Sequence, residues 1–147
     1  MCYHTYEMSF IKKYSNQIIL LSAFIGFSIS LYLWNVIATG SEIICTTGCD
    51  AVLASQYSKI LEIPVAAYGA AFYSGLIYMT YLRTKVSHLF IERSLKVLVG
   101  VGIVFTLYLR YLEFFKLGEI CEWCWGSVVV ILVITATLIL ENKKDAK

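Results

Sequence analysis

Apolar residues run in four long stretches, at 17–38, 64–82, 97–115 and about 121–140, with polar segments between them. Each approaches the roughly 20 residues that a helix needs to cross a hydrocarbon layer. The first stretch is too long for a signal-peptide core and lacks a small-residue cleavage site, so it reads as a retained anchor. The pattern predicts an all-α integral membrane protein, a four-transmembrane-helix bundle forming a single domain over 1–147. Pro64 suits the first turn of the second span and holds Ile63 extended. Ala67, Ala71 and Gly75 form a small-residue stripe on that span, which is expected to let a neighbouring helix approach.

Composition agrees, with 59% hydrophobic and 15% charged residues. The net charge of +2 forms no basic stripe, and no nucleic-acid partner is expected. The charges speak to orientation instead. Lys12, Lys13, Arg83, Lys85, Arg93, Lys96, Lys143, Lys144 and Lys147 fall at the termini and in the second connection, against only Lys59 and Lys116 in the first and third. By the positive-inside rule both termini are cytoplasmic, and the 39–63 loop and 116–120 turn lie outside. Tyr32, Trp34, Tyr78, Tyr81, Trp123 and Trp125 sit at span ends and read mainly as interfacial anchors. Arg110 and Glu113, one helical turn apart in the third span, are expected to neutralise each other or snorkel; the alternative is a place near a reacting group.

Five cysteines carry the candidate chemistry. Cys45, Cys49, Cys121 and Cys124 share the outer side on this topology, whereas Cys2 lies on the other and reads as a bystander thiol. Outside the cytoplasm thiols oxidise and pair. "CTTGC" and "CEWC" would each close a tight ring, which is a poor staple but suited to exchange. Inert disulfides in a structural bundle and a four-thiolate metal site remain as alternatives. Were Cys124 to open the last helix, its sulfur would meet unpaired backbone N–H groups and the positive end of the helix dipole, which favours thiolate. No haem or nucleotide motif is present, His4 and His88 read as solvated, and a membrane quinone is the natural apolar electron acceptor.

The joint pattern "CDAVLASQYSKILEIPVAAYGAAFYS" (49–74) and "EICEWC" (119–124) resembles the vitamin K epoxide reductase family, in its bacterial and archaeal branch, across essentially the whole chain. The resemblance implies a bundle around a quinone pocket, in a bacterial or archaeal cell membrane. It makes Cys121 and Cys124 the active pair, with Cys124 toward a ubiquinone- or menaquinone-type acceptor and Cys121 toward the loop. Cys45 and Cys49 become a shuttle pair that takes electrons from a thioredoxin-fold partner. Ser55 matches a serine or threonine lining the quinone site, and Trp125, Gly126 and the inner faces of the first two spans are further candidates. Two departures are visible. Only three residues separate the loop cysteines, fewer than in many members. Val128 also stands where the vertebrate branch has tyrosine, which argues against vitamin K epoxide as substrate. The chain ends soon after Leu140, so no fused thioredoxin-like domain is expected and the partner is a separate DsbA-like protein. The DsbB-like family performs similar chemistry, but its two cysteine pairs come in the reverse order.

Overall fold

The computed structural model describes residues 2–45, 48–86 and 88–145, with side chains described over 12–45, 48–86 and 88–143. The readings made for Thr46 and Thr47 and for the side chains of Cys2, His4, Lys144 and Lys147 lie outside the described residues. Five α-helices are seen among the described residues: α1 (Cys2–Thr39), α2 (Cys49–Ala54), α3 (Val65–Lys85), α4 (Leu89–Leu112) and α5 (Glu122–Asp145). The four long ones correspond to the four apolar stretches. They form a ring in which α1 packs on α3 and α5, and α4 packs on the same two helices.

Three of the four, over Lys12–Thr39, Leu89–Leu117 and Glu122–Lys143, are long and apolar enough to cross a membrane. Helix α3 has sufficient length at 21 residues, but Tyr68, Tyr73, Tyr78 and Tyr81 among small residues make it the least apolar. Within the most apolar window of α5 only 22% of residues are buried, and Leu132, Ile139 and Leu140 face outward. An exposed surface as apolar as the core is what a lipid solvent permits, and helix association there rests on close packing rather than on expulsion of water.

That packing differs from the expected stripe. Ala71 is exposed and Gly75 makes only ordinary contact with Leu98 on α4. The close α1–α3 crossing is made at Gly26, where any Cβ would overlap the Tyr73 ring. Tyr73 in turn reaches α5, its hydroxyl donating to the Ser127 carbonyl at 3.4 Å. Ile19, Ala23, Leu76, Leu95, Val99 and Ile134 complete the main core.

The basic second connection is also different. Helix α4 begins at Leu89, so Arg93 and Lys96 lie in its first turns. Arg83 is buried, with 6% exposure, inside the last turn of α3. It pairs with Glu141 of α5, donates to Asn16 of α1 at 3.0 Å, and lies 3.8 Å from Glu92 of α4, which also pairs with Lys12. A guanidinium can leave water when several acceptors replace its hydration, and here they come from all the other long helices. This ionic knot closes the end of the bundle that holds both termini.

The opposite end carries the cysteines. Between α1 and α3 the chain forms α2, a 3-10 turn (Gln56–Ser58) and a two-residue antiparallel hairpin, β1 (Lys59–Ile60) with β2 (Ile63–Pro64), pairing Ile60 with Ile63. The hairpin is a small exception to an all-α chain. After α4 the helix widens into a π-helical turn, Glu113–Leu117, which ends at Gly118 in the left-handed region.

Candidate redox site

The loop cysteines, Cys45 and Cys49, are joined in a disulfide, and Cys121 and Cys124 are free thiols. Cys49 opens α2 and is 1% exposed; it shares a buried cluster with Cys121, Leu33 and Ile43. Cys45 is only partly buried at the edge of that cluster. The two pairs are therefore adjacent, with the buried member of the loop pair on the Cys121 side.

The loop is seated by three specific contacts. Trp123 donates its indole N–H to the Ile44 carbonyl at 2.9 Å, and the Ile44 amide donates to the Tyr32 hydroxyl at 3.3 Å. The Tyr32 and Trp123 rings lie 4.9 Å apart, so the residue before Cys45 is gripped between α1 and α5. On the other side of the disulfide, Gly48 has φ +35° and backs directly onto the turn that precedes Cys121. A Cβ there would come within 2.5 Å of Glu119 Oε2 and 3.3 Å of the Ile120 nitrogen. Only glycine meets both demands. Tyr32 and Trp123, expected as interfacial anchors, are thus loop clamps.

The helix start also departs from expectation. Glu122, not Cys124, opens α5, and Cys121 occupies the capping position, its carbonyl accepting the Trp125 amide at 3.1 Å. The Cys121 sulfur accepts the Cys124 backbone N–H at 3.3 Å, as a serine or aspartate oxygen would at an N-cap. The Cys124 thiol donates to the same sulfur, 2.7 Å away. These contacts hold the Cys121 thiol below its ordinary range: the Cys124 thiol contributes most, burial opposes it, and the Cys124 amide and Arg110 charge help. The device that favours thiolate acts on Cys121, the residue beside the loop.

Cys124 faces the other way. It lines a cavity of about 320 Å³, within the size range of small-ligand sites. The walls are mostly apolar, with Leu33, Phe72, Phe105, Leu109 and Val128 among them. Ser55 lines the same cavity from the end of α2, where its hydroxyl donates to the Val52 carbonyl at 2.7 Å and its oxygen keeps accepting capacity. Inner faces of α1 and α3 contribute as expected. Trp125 instead packs behind Arg110, and Gly126 lies under Ile29 of α1.

Helix α4 forms a wall of which the sequence reading named only Arg110 and Glu113, as an alternative to simple neutralisation. Gly102, Thr106, Arg110 and Glu113 recur at three- or four-residue spacing along an otherwise apolar helix, and all line the cavity. That polar stripe was the available signal. Arg110 and Glu113 form a buried ion pair, so they do neutralise each other, but at the cavity wall and without snorkelling. The free Glu113 oxygen, Oε1, accepts the Cys121 backbone N–H at 2.7 Å.

Among the described residues no group of three or more His, Cys, Asp or Glu side chains could hold a metal ion, and two of the four sulfurs here are already bonded to each other. Two adjacent cysteine pairs, one against a mostly apolar cavity between membrane-length helices, form the arrangement of a thiol oxidoreductase with an apolar partner. The family model described as "Vitamin K epoxide reductase family" matches residues 17–139, from α1 into α5 and through both cysteine pairs, and the chain belongs to that family of multi-pass, quinone-using thiol oxidoreductases.

Proposed function

We propose that this chain is one membrane domain that supports disulfide-bond formation by re-oxidising a separate thioredoxin-fold, DsbA-like protein. The cysteine end faces the extracytoplasmic side of a bacterial or archaeal cell membrane, and the termini face the cytoplasm. Nine basic residues in the terminal segments and the second connection, against two in the first and third connections, support this orientation. Electrons run from the partner to Cys45–Cys49, then to Cys121–Cys124, then to a quinone of ubiquinone or menaquinone type.

One observation carries the reading: Cys121 is buried beside Cys49, while Cys124, its neighbour at 2.7 Å, lines the cavity. The partner's thiolate attacks the more accessible Cys45 sulfur, and Cys49 leaves as thiolate in the cluster that holds Cys121. Cys49 then attacks the Cys121–Cys124 disulfide at Cys121, and Cys124 leaves toward the cavity. The partner's second thiol resolves its own mixed disulfide and frees Cys45. Cys45 closes again on Cys49 and releases Cys121, which leaves the oxidised-loop, reduced-helix state observed here. Each exchange is a thiolate displacement along three roughly aligned sulfurs.

The cavity fits a quinone ring. It has the volume, mostly apolar walls, a thiol at one side and a lining arginine, Arg110, whose Nε is buried without a hydrogen-bond partner among the described residues. A bound quinone supplies the two-electron sink. Ser55 and Arg110 offer polar atoms at the wall, and the aromatic and aliphatic side chains exclude water and soluble thiols.

Purified protein given a reduced partner and a short-chain quinone tests the scheme. Cys124→Ala should abolish quinone reduction while Cys45–Cys49 still exchanges with the partner. Undiminished turnover in that variant rules the relay out. Cys49→Ala should accumulate a Cys45–partner mixed disulfide, and a partner trapped on Cys121 instead would reverse the assigned order.

A further inference from the structure

We propose that Arg110 is a catalytic residue of this site: its guanidinium binds a carbonyl oxygen of the quinone, and Glu113 is the positioning residue that aims it and ties it to Cys121. The inference rests on the cavity reading above and adds a residue that the cysteine relay does not use.

Arg110 lies near the end of α4, lines the cavity and is largely buried. A charge at such a depth is costly to retain and calls for a partner or a task. Glu113 supplies the partner. The pair leaves the Arg110 Nε buried with no hydrogen-bond acceptor among the described residues. The guanidinium lies over the Trp125 ring, with its central carbon 5.5 Å from the ring centroid. Glu113 on one side and Trp125 on another fix the plane of the fork. Arg110 and Cys124 line the same cavity. A cation held rigidly beside the thiol, with a donor unused, is placed for an oxygen on which negative charge grows.

The electron balance is simple. The Cys121 and Cys124 thiols lose two electrons and two protons and become one disulfide, and one quinone becomes one quinol. Arg110 stays protonated throughout and donates hydrogen bonds, which are worth most when the accepting oxygen is most negative. Glu113 couples the two halves. One oxygen holds Arg110, and the other holds the Cys121 amide at 2.7 Å, so the donor and the CxxC helix start move as one unit. The widened π-helical turn beginning at Glu113 is the local distortion that leads the chain from α4 round to Cys121.

The test uses full-length protein and a ubiquinone with a single isoprene unit. Equilibrium binding is read from quenching of tryptophan fluorescence without turnover, and steady-state reduction is driven by dithiothreitol. Arg110→Gln should weaken binding by about tenfold or more and lower kcat/KM by about a hundredfold, the loss expected when an oriented charged donor is removed. Arg110→Lys, which keeps the charge and loses the fork, should fall between, and it carries the test if the Gln variant does not fold. Glu113→Gln should keep thermal stability closer to the parent than activity, and raise KM for the quinone. Parental binding and kcat/KM in a folded Arg110→Gln protein would overturn the role of Arg110 alone. A parent protein that neither binds nor reduces the quinone would overturn the cavity reading beneath it.

Discussion

Two buried Arg–Glu pairs stand at opposite ends of this bundle and do different work. Arg83–Glu141 joins residues far apart in sequence and draws in Asn16, Glu92 and Lys12, so its charges meet acceptors from every long helix. Arg110–Glu113 is a local pair on one chain segment, and its surroundings are a cavity, a tryptophan face and a cysteine amide. Among the described residues both leave an Nε without a hydrogen-bond partner. The difference lies in what surrounds each arginine, a knot of acceptors in one case and the wall of the cavity that Cys124 also lines in the other. The same chemistry closes one end of the bundle and keeps the other receptive.

This contrast can be broken or sharpened by experiment. The largest effect is expected at the closed end: Arg83→Ala strands Glu141 in the interior and should cost about 3–5 kcal/mol, read as a lower unfolding temperature in detergent. The double variant Arg83→Met with Glu141→Leu should recover most of it. Equal loss of stability from Arg110→Gln would erase the distinction between the ends.

Next in size is Gly48→Ala, which forces a Cβ toward Glu119 at a left-handed φ and should cost roughly 1–3 kcal/mol of loop docking. Its signature is slower electron transfer from Cys49 to Cys121 with the Cys124–quinone step unchanged. An unaltered loop-to-helix rate would mean that the contact seen at Gly48 does not seat the shuttle.

A pH effect follows from the lowered Cys121 thiol. The folded protein holds its thiolate, the form that exchanges, to lower pH than an ordinary thiol does, and the thiolate is lost as pH falls through the lowered value. Alkylation of reduced protein at Cys121 should therefore persist below the pH at which a free thiol stops reacting, and fall about tenfold per pH unit beneath its own midpoint. Cys124→Ala removes the largest cause and should move the midpoint up toward the ordinary thiol value of about 8.5. A midpoint unchanged by that substitution would assign the effect to the helix start and Arg110 alone.

The smallest effect is expected from Trp123→Phe, which keeps the ring against Tyr32 but deletes the bond to the Ile44 carbonyl, worth about 1 kcal/mol. Faster proteolysis in the loop near Ile44 would report it, and unchanged protection would return Trp123 to the status of an interfacial anchor.

Much of this molecule was written in the order of its residues. Four apolar runs determine four long helices because lipid demands that backbone groups bond within the segment. Two tight cysteine pairs, each near a span boundary, put the candidate redox chemistry at one end of the bundle, and the family resemblance chose among its readings. Pro64 and Ile63 marked the entry to α3, which begins one residue later. Helix ends were less legible: charged residues such as Arg93 and Lys96 look like loop in a hydropathy pattern, yet they extend α4 because Lys96 finds Asn142 on α5.

Relations between segments, by contrast, arise only once the helices pack. That Cys121, not Cys124, caps α5 depends on a sulfur meeting an amide three residues on, with Glu113 holding the turn from α4. That Gly26, not the Ala67 stripe, makes the close helix crossing depends on where the Tyr73 ring falls. Arg83 and Arg110 each lie near the end of an apolar run. Their surroundings separate them, because a buried charge takes its role from the groups that replace its water, and those groups come from elsewhere in the chain.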